Sequence, residues 1–174
     1  MTDGVTPQPQ APPPQGDVKA LEREALGHSG ALYRLACRLL GNTSDADDVV
    51  QEAFIKAISQ LRSGGFRGDS SLSTWLFRIV THVALDRLRQ VERQRAVTPV
   101  EEAHSTSNPD AAVALRELAD AMKELPEDQR AALVLKELQG LPTKEVAAIL
   151  ERSEGATEQL LVRARQALRR RFEP

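Results

Sequence analysis

From Asp17 onward the apolar residues recur at helical spacing. Val18, Leu21, Ala25, Leu32, Leu35, Ala36, Leu39 and Leu40 form a first stripe, loosened around Gly27 and Gly30. The "GNTS" at 41–44 ends this helix and caps the next. Ala46, Val49, Val50, Ala53, Phe54, Ala57, Ile58 and Leu61 follow at three-four spacing. After "RSGGFRGDSS" a long helix turns Leu72, Leu76, Ile79, Val83, Leu88 and Val91 inward. These three helices predict one bundle.

The periodicity then lapses. Residues 96–109, "AVTPVEEAHSTSNP", carry Pro, Ser and Thr without a repeat, and read as a linker. Fully extended they reach about 45–50 Å. Asn108-Pro109 supplies a cap and a proline at a first helical position. Helices are predicted at about 109–124, 127–138, 143–150 and 154–171, broken by "ELPED" and "QGLPT". Outside the helical stripes, apolar and polar residues never alternate over more than four positions, so no strand is expected. The predicted class is all-α: two small helical domains, a three-helix-type bundle at 17–95 and a helix-turn-helix domain at 110–174. Residues 1–16, "MTDGVTPQPQAPPPQG", have too little apolar surface to fold and are expected to form a disordered tail.

Composition narrows the function classes. Of the 174 residues only four Phe, one Trp and one Tyr are aromatic, so Leu, Ala and Val must fill the cores. The lone Cys37 excludes an internal disulfide and lies on an apolar stripe, where it reads as a small core residue. No apolar run spans a membrane and no secretory pattern opens the chain, so a soluble cytoplasmic protein is expected. No nucleophile–base set, phosphate loop or metal cluster appears. His28, His82 and His104 sit on separate segments. Neither an enzyme nor a bound cofactor is expected.

Charge is informative locally rather than in sum. The net charge is only −2, so the whole chain exerts little pull on nucleic acid. Yet the second helix opens with Asp45, Asp47 and Asp48, followed by Glu52. The third ends with Arg87, Arg89, Arg93 and Arg95, and the last carries Arg163, Arg165, Arg169, Arg170 and Arg171. Two basic faces on two linked domains suit a nucleic-acid grip at two separated places. Solvated helix faces with dipole-compatible charges are the plainer alternative. Metal ligation by Asp45, Asp48 and Glu52, which share a helix face, lacks a second cluster to complete a site.

The C-terminal "LPTKEVAAILERSEGATEQLLVRARQAL" reads as two helices joined by a short turn at "ERSEG". Val146, Ala147, Ile149 and Leu150 point inward from the first, and Ala156, Leu160, Leu161 and Ala164 from the second. Ser153 is a good cap. In a DNA-binding helix-turn-helix the exposed start of the second helix faces base edges, here Glu154, Thr157, Glu158 and Gln159. Arg163 and Arg165 lie further along, at phosphate height.

"SDADDVVQEAFIKA", "FRGDSSLSTWLFRIVTHVALDRLR" and "LPEDQRAALVLKELQGLPTKEVAAIL…VRARQAL", in that order, resemble a bacterial extracytoplasmic-function (ECF) sigma factor over about residues 17–172. The resemblance implies a dissociable initiation subunit of RNA polymerase. Its partners would be core polymerase, promoter DNA and an anti-sigma factor, which could hold it at the inner membrane. It implies polymerase docking through Asp45, Asp48, Gln51 and Glu52. It assigns the minus-ten element to the loop Phe66, Arg67, Gly68, Asp69, Ser70 and Ser71, which takes a base flipped from the non-template strand. Thr74, Trp75, Arg78, His82, Arg87 and Arg89 continue that surface along the following helix. Lys144 and Ser153 join Glu154, Thr157, Glu158, Gln159, Arg163 and Arg165 at the minus-thirty-five element. Phe66 and Trp75 are candidates to stack on bases, with core packing the alternative for Trp75. The chain departs from the family at His82, where Asn is common, at Pro142, where Ser is usual, and in "ATEQLL". A stand-alone helix-turn-helix regulator is the alternative function.

Overall fold

The computed structural model describes residues 18–95 and 109–173. The predicted tail (1–16) and nearly all of the linker lie outside them. Seven α-helices follow in order: α1 Val18–Leu40, α2 Ser44–Arg62, α3 Leu72–Arg95, α4 Pro109–Lys123, α5 Glu127–Leu133, α6 Thr143–Leu150 and α7 Glu154–Phe172. No strand occurs among the described residues. One predicted helix differs. Residues 127–138 begin as α5 and widen into a π-helical turn, Val134–Leu138, closed by the Gln139 N–H donating to the Val134 carbonyl at 3.0 Å.

The first half is built on α1, α2 and α3, whose apolar stripes meet in one core. Leu32, Leu35, Ala36 and Leu39 of α1 are fully buried with Ala46 and Ala57 of α2 and Val80 and Ala84 of α3. Small alanines at the crossings let helix axes approach closely. Where the first stripe loosens, Leu26 is 77% exposed. Cys37 is half-buried against this core, and burial raises its pKa above the ordinary thiol value. The protonated thiol behaves as the small apolar group expected from the sequence. In the second half, α5 and the π turn contribute Ala131, Ala132, Val134 and Leu135, while α6 contributes Val146 and Ile149.

The recognition helix is rotated from the register expected. Ala156 is exposed, and Thr157, expected at base edges, is fully buried. Thr157, Leu161 and Ala164 form the inward set. A threonine can join an apolar stripe because its hydroxyl donates to the Ser153 carbonyl at 3.0 Å, one turn back.

The two halves share one continuous core. Their seam is made where helices end. The last carbonyls of a helix have no N–H of their own helix to meet, and they carry its negative dipole end. Arg130 of α5, 3% exposed, donates from Nη1 to the Leu39 carbonyl at the end of α1 (3.1 Å). Its other Nη reaches the Lys123 carbonyl at the end of α4 (2.6 Å). Arg38 of α1 returns the arrangement, donating to the Leu138 carbonyl at the end of the π turn (2.9 Å).

Replacing Arg130 strips buried carbonyls of a charged donor. Arg130→Met should lower unfolding stability by about 2–3 kcal/mol, measured by urea denaturation. A change within error would mean that the seam does not depend on it.

Candidate nucleic-acid interface

The loop from 63 to 71 is shaped by backbone geometry. Gly64 and Gly68 take left-handed φ values of 75° and 78°, where other residues are strained. The Gly65 N–H returns to the Gln60 carbonyl at 2.7 Å, folding the loop over the end of α2. Ser71 then starts α3: its Oγ accepts the Thr74 N–H at 3.1 Å and contacts the Thr74 hydroxyl at 2.8 Å. The serine at the end of "GDSS" therefore caps a helix as well as facing solvent.

The loop and the first two turns of α3 enclose a cavity of about 360 Å³. This is at the lower end of the roughly 300–1,000 Å³ typical of small-ligand pockets. Gly65, Phe66, Arg67, Asp69, Ser70, Thr74, Trp75 and Arg78 line it, and Ala148 of α6 completes the wall. Phe66 and Trp75 are 3% and 2% exposed, with ring centroids 5.1 Å apart and planes tilted by 55°. They pack into the first-half core and present only an edge to the cavity, so neither stands free as a stacking platform. Phe77 is also buried. Arg67 and Asp69 are exposed, while Gly68 and Ser70 are half-exposed.

Along α3 the candidate strand-facing residues point toward the second half. Thr74 Oγ1 donates to Glu145 at 3.4 Å. Arg78 lies 3.9 Å from the Glu151 carboxylate. His82 Nε2 meets the Ile149 carbonyl at 3.1 Å; a carbonyl only accepts, so Nε2 carries the proton. Arg89 pairs with Glu127 and Asp86, and the hydrogen bond to Glu127 raises its pKa further above the ordinary guanidinium value. Arg87 instead pairs within the first half, with Asp45 at 3.2 Å.

That pair removes Asp45 from the acidic edge. Its backbone N–H also donates to Asn42 Oδ1 at 2.9 Å, fixing the start of α2. Asp48, Gln51 and Glu52 remain exposed on the outer face, with Glu52 pairing to Lys56 at 2.8 Å. Ile55, one turn beyond Gln51, is 70% exposed and continues this face.

In the helix-turn-helix, Lys144, Glu154, Glu158, Gln159, Arg163 and Arg165 are exposed. Arg165 pairs with Glu137 of the π turn. Ser153 is the cap expected, accepting the Ala156 N–H at 3.1 Å. Buried Thr157 is withdrawn from this face, which corrects its assignment to base contact. Sequence reasoning missed Arg38, Glu127, Arg130, Glu145 and Glu151. One signal was readable: Glu151 stands at a helix end where glycine is favoured, and it adopts φ 54° and ψ 43°.

The comparisons with known proteins agree with this layout. The Sigma-70 region 2 family matches residues 26–94, and the Sigma-70 region 4 family matches residues 115–168. The chain is 37% identical over 160 residues to the ECF RNA polymerase sigma factor SigM of Mycobacterium tuberculosis, covering 89% of this chain and 78% of that one. It is 34% identical over 176 residues to the ECF RNA polymerase sigma-E factor of Escherichia coli, covering 92% and 90%. Among solved structures, it superposes on the sigma factor RpoE in complex with the anti-sigma factor NepR from Bartonella quintana. The TM-score there is 0.72 at 25% identity, covering 89% of this chain and 98% of that one.

The capping role of Ser153 is separable from base reading. Ser153→Ala should cost about 1 kcal/mol of stability while leaving the base preference of the upstream element unchanged. Thermal unfolding and duplex competition measure the two. A changed base preference would return Ser153 to the DNA-reading set.

Proposed function

The chain belongs to the ECF family of bacterial RNA polymerase sigma factors, and from that premise we propose how its two halves divide the work. It is an alternative sigma factor, a non-enzymatic subunit that directs RNA polymerase to promoters. In our reading, residues 17–95 form the region-two domain, which binds core polymerase and the minus-ten element. Residues 96–109 link it to a region-four domain at 110–174, which reads the minus-thirty-five element.

The observation that carries this division is the cavity under the 63–71 loop. It is closed below by the Phe66–Trp75 pair and edged by Arg67, Asp69 and Ser70. Polar groups at the rim can bond the Watson–Crick edge of an extruded base, and Arg67 and Arg78 can meet its phosphates. The rigid aromatic floor fixes the loop's shape without itself stacking on DNA. Polymerase docks apart from the cavity lining, on α2, through Asp48, Gln51 and Glu52. These three are exposed and carry net negative charge, so a basic helical partner complements them. Asp45 supports this edge indirectly, through Arg87 and the start of α2.

The region-four face presents Lys144, Glu154, Glu158, Gln159 and Arg163. Glu158 suits a cytosine amino group and Gln159 an adenine edge. No observation favours a stand-alone regulator. A third partner follows from likeness: RpoE is described with NepR, and CnrH with the cytosolic domain of CnrY. An anti-sigma protein, as NepR is to RpoE, would sequester this chain. No helix of the described residues is long and apolar enough to cross a membrane. We place the protein in the cytoplasm, at the inner membrane when a membrane-bound anti-sigma partner holds it.

Asp48→Arg or Glu52→Lys should abolish binding to core polymerase in a pull-down while circular dichroism stays unchanged, because both residues are exposed. Unfolding would instead make them structural and remove the docking assignment.

Exchange of residues 66–71 for those of a related factor should change the preferred base at one minus-ten position on a pre-opened bubble template. Polymerase binding should survive, since the docking edge lies elsewhere. Unchanged preference at every position would move base reading to α3.

A further inference from the structure

Four of the α3 positions read as strand-facing are occupied by the other half of the same chain. Thr74, Arg78 and Arg89 each meet a carboxylate, from Glu145, Glu151 and Glu127 respectively. His82 meets the partly negative carbonyl end of α6. In every case the group presented to α3 is an anionic or partly anionic oxygen, the kind of acceptor a DNA phosphate offers.

Glu151 is the most telling member. It is the one residue other than glycine with a positive φ among those described. Its backbone sits at the left-handed end of α6, where glycine would be unstrained. No fold requirement calls for a glutamate there. Its carboxylate does lie 3.9 Å from Arg78, and Arg78 lines the base cavity. Strain held at such a position points to a role beyond folding.

We propose that Glu127, Glu145 and Glu151 form an intramolecular latch that stands in for promoter phosphates and masks the strand-reading face of α3. The inference rests on the reading of α3 as that face. The latch covers only one side of the first half. Asp48, Gln51 and Glu52 stay exposed on α2, so polymerase can dock on the closed chain. The Arg78–Glu151 pair is a weak fastener, with side-chain exposures of 36% and 62%, while the Arg89–Glu127 pair is more covered, at 45% and 25%. Exposed pairs of this kind are screened by salt and easily exchanged for other anions. A latch made of them closes the free chain yet yields to a polyanion on an assembled complex.

The test uses the full chain. One variant combines Glu127→Gln, Glu145→Gln and Glu151→Gly, the last of which relieves backbone strain and so guards against loss of the fold. The control combines Glu22→Gln, Glu117→Gln and Glu124→Gln, which are exposed and take no part in the seam. Both lose the same negative charge, so a general gain in attraction for DNA cancels. Fluorescence anisotropy with a labelled oligothymidylate reads strand binding, and small-angle X-ray scattering reads the radius of gyration. The seam variant should bind about five-fold or more tightly than the control, and its radius of gyration should rise. Equal binding by the two variants, or tighter binding without expansion, overturns the latch. Core polymerase pull-down by the wild-type chain separates the two levels of inference. If the chain fails to bind polymerase, the functional reading falls and the latch with it; if it binds and the variants agree, only the latch falls.

Discussion

The structure depends on how the ends of helices are satisfied at the seam. α1, the π turn and α6 all finish there, each with a carbonyl that its own helix cannot use. Arg130 meets Leu39, Arg38 meets Leu138, and His82 meets Ile149. Each donor comes from the opposite half. Two short-cored bundles are thereby locked in one relative orientation. That orientation sets everything else at the site: the placement of α6 on α3, the wall that Ala148 adds to the cavity, and the partners of the α3 cations.

The seam is not uniform. At the end nearest α1 the donor is a buried arginine that reaches the ends of two helices, and hydrogen bonds from a buried charge are strong. At the other end the contacts are the exposed Arg78–Glu151 pair, the long Thr74–Glu145 contact and the His82–Ile149 hydrogen bond. The polar contacts alone are therefore weaker beside the cavity than at Arg130, although α3 and α6 also share buried apolar packing there.

Much of this was legible in the chain itself. Helical periodicity placed α4, α6 and α7 to within a residue and the start of α5, because each has an apolar stripe with clear breaks such as "ELPED" and "QGLPT". The π turn was invisible, since widening a helix at 134–138 changes hydrogen bonding without disturbing the apolar pattern. The rotation of α7 was missed for a related reason. Thr157 looks polar, but a hydroxyl bonded to the preceding turn is silent in a core, whereas Ala156 looks apolar and costs nothing when exposed. Trp75 had two readings at the sequence level because its spacing with Leu72 and Ile79 fits a core as well as a strand-facing surface; burial at 2% places it in the core. Contacts across the seam had no signature at all. Arg38, Arg130 and Glu145 look like ordinary surface charges, and only the fold brings them to distant helix ends and side chains.

The seam also changes what the charge map means. Read along the sequence, the basic stretch of α3 looked like an open surface for DNA, in tension with a net charge of −2. In the folded chain two of those cations already meet carboxylates of the chain itself, Arg87 with Asp45 and Arg89 with Asp86 and Glu127. A face masked by the chain's own carboxylates binds a strand with an affinity reduced by the fraction of molecules in which it is open. Polymerase docking on α2, as proposed, would leave that fraction free to change. If docking favours the open arrangement, linkage requires the promoter strand to strengthen docking by the same factor. On the proposed assignments the exposed acidic edge would engage first, and the masked basic face second. On the latch proposal, Glu127, Glu145 and Glu151 keep the free chain from non-specific DNA, while the continuous core and Arg130 hold its two halves together.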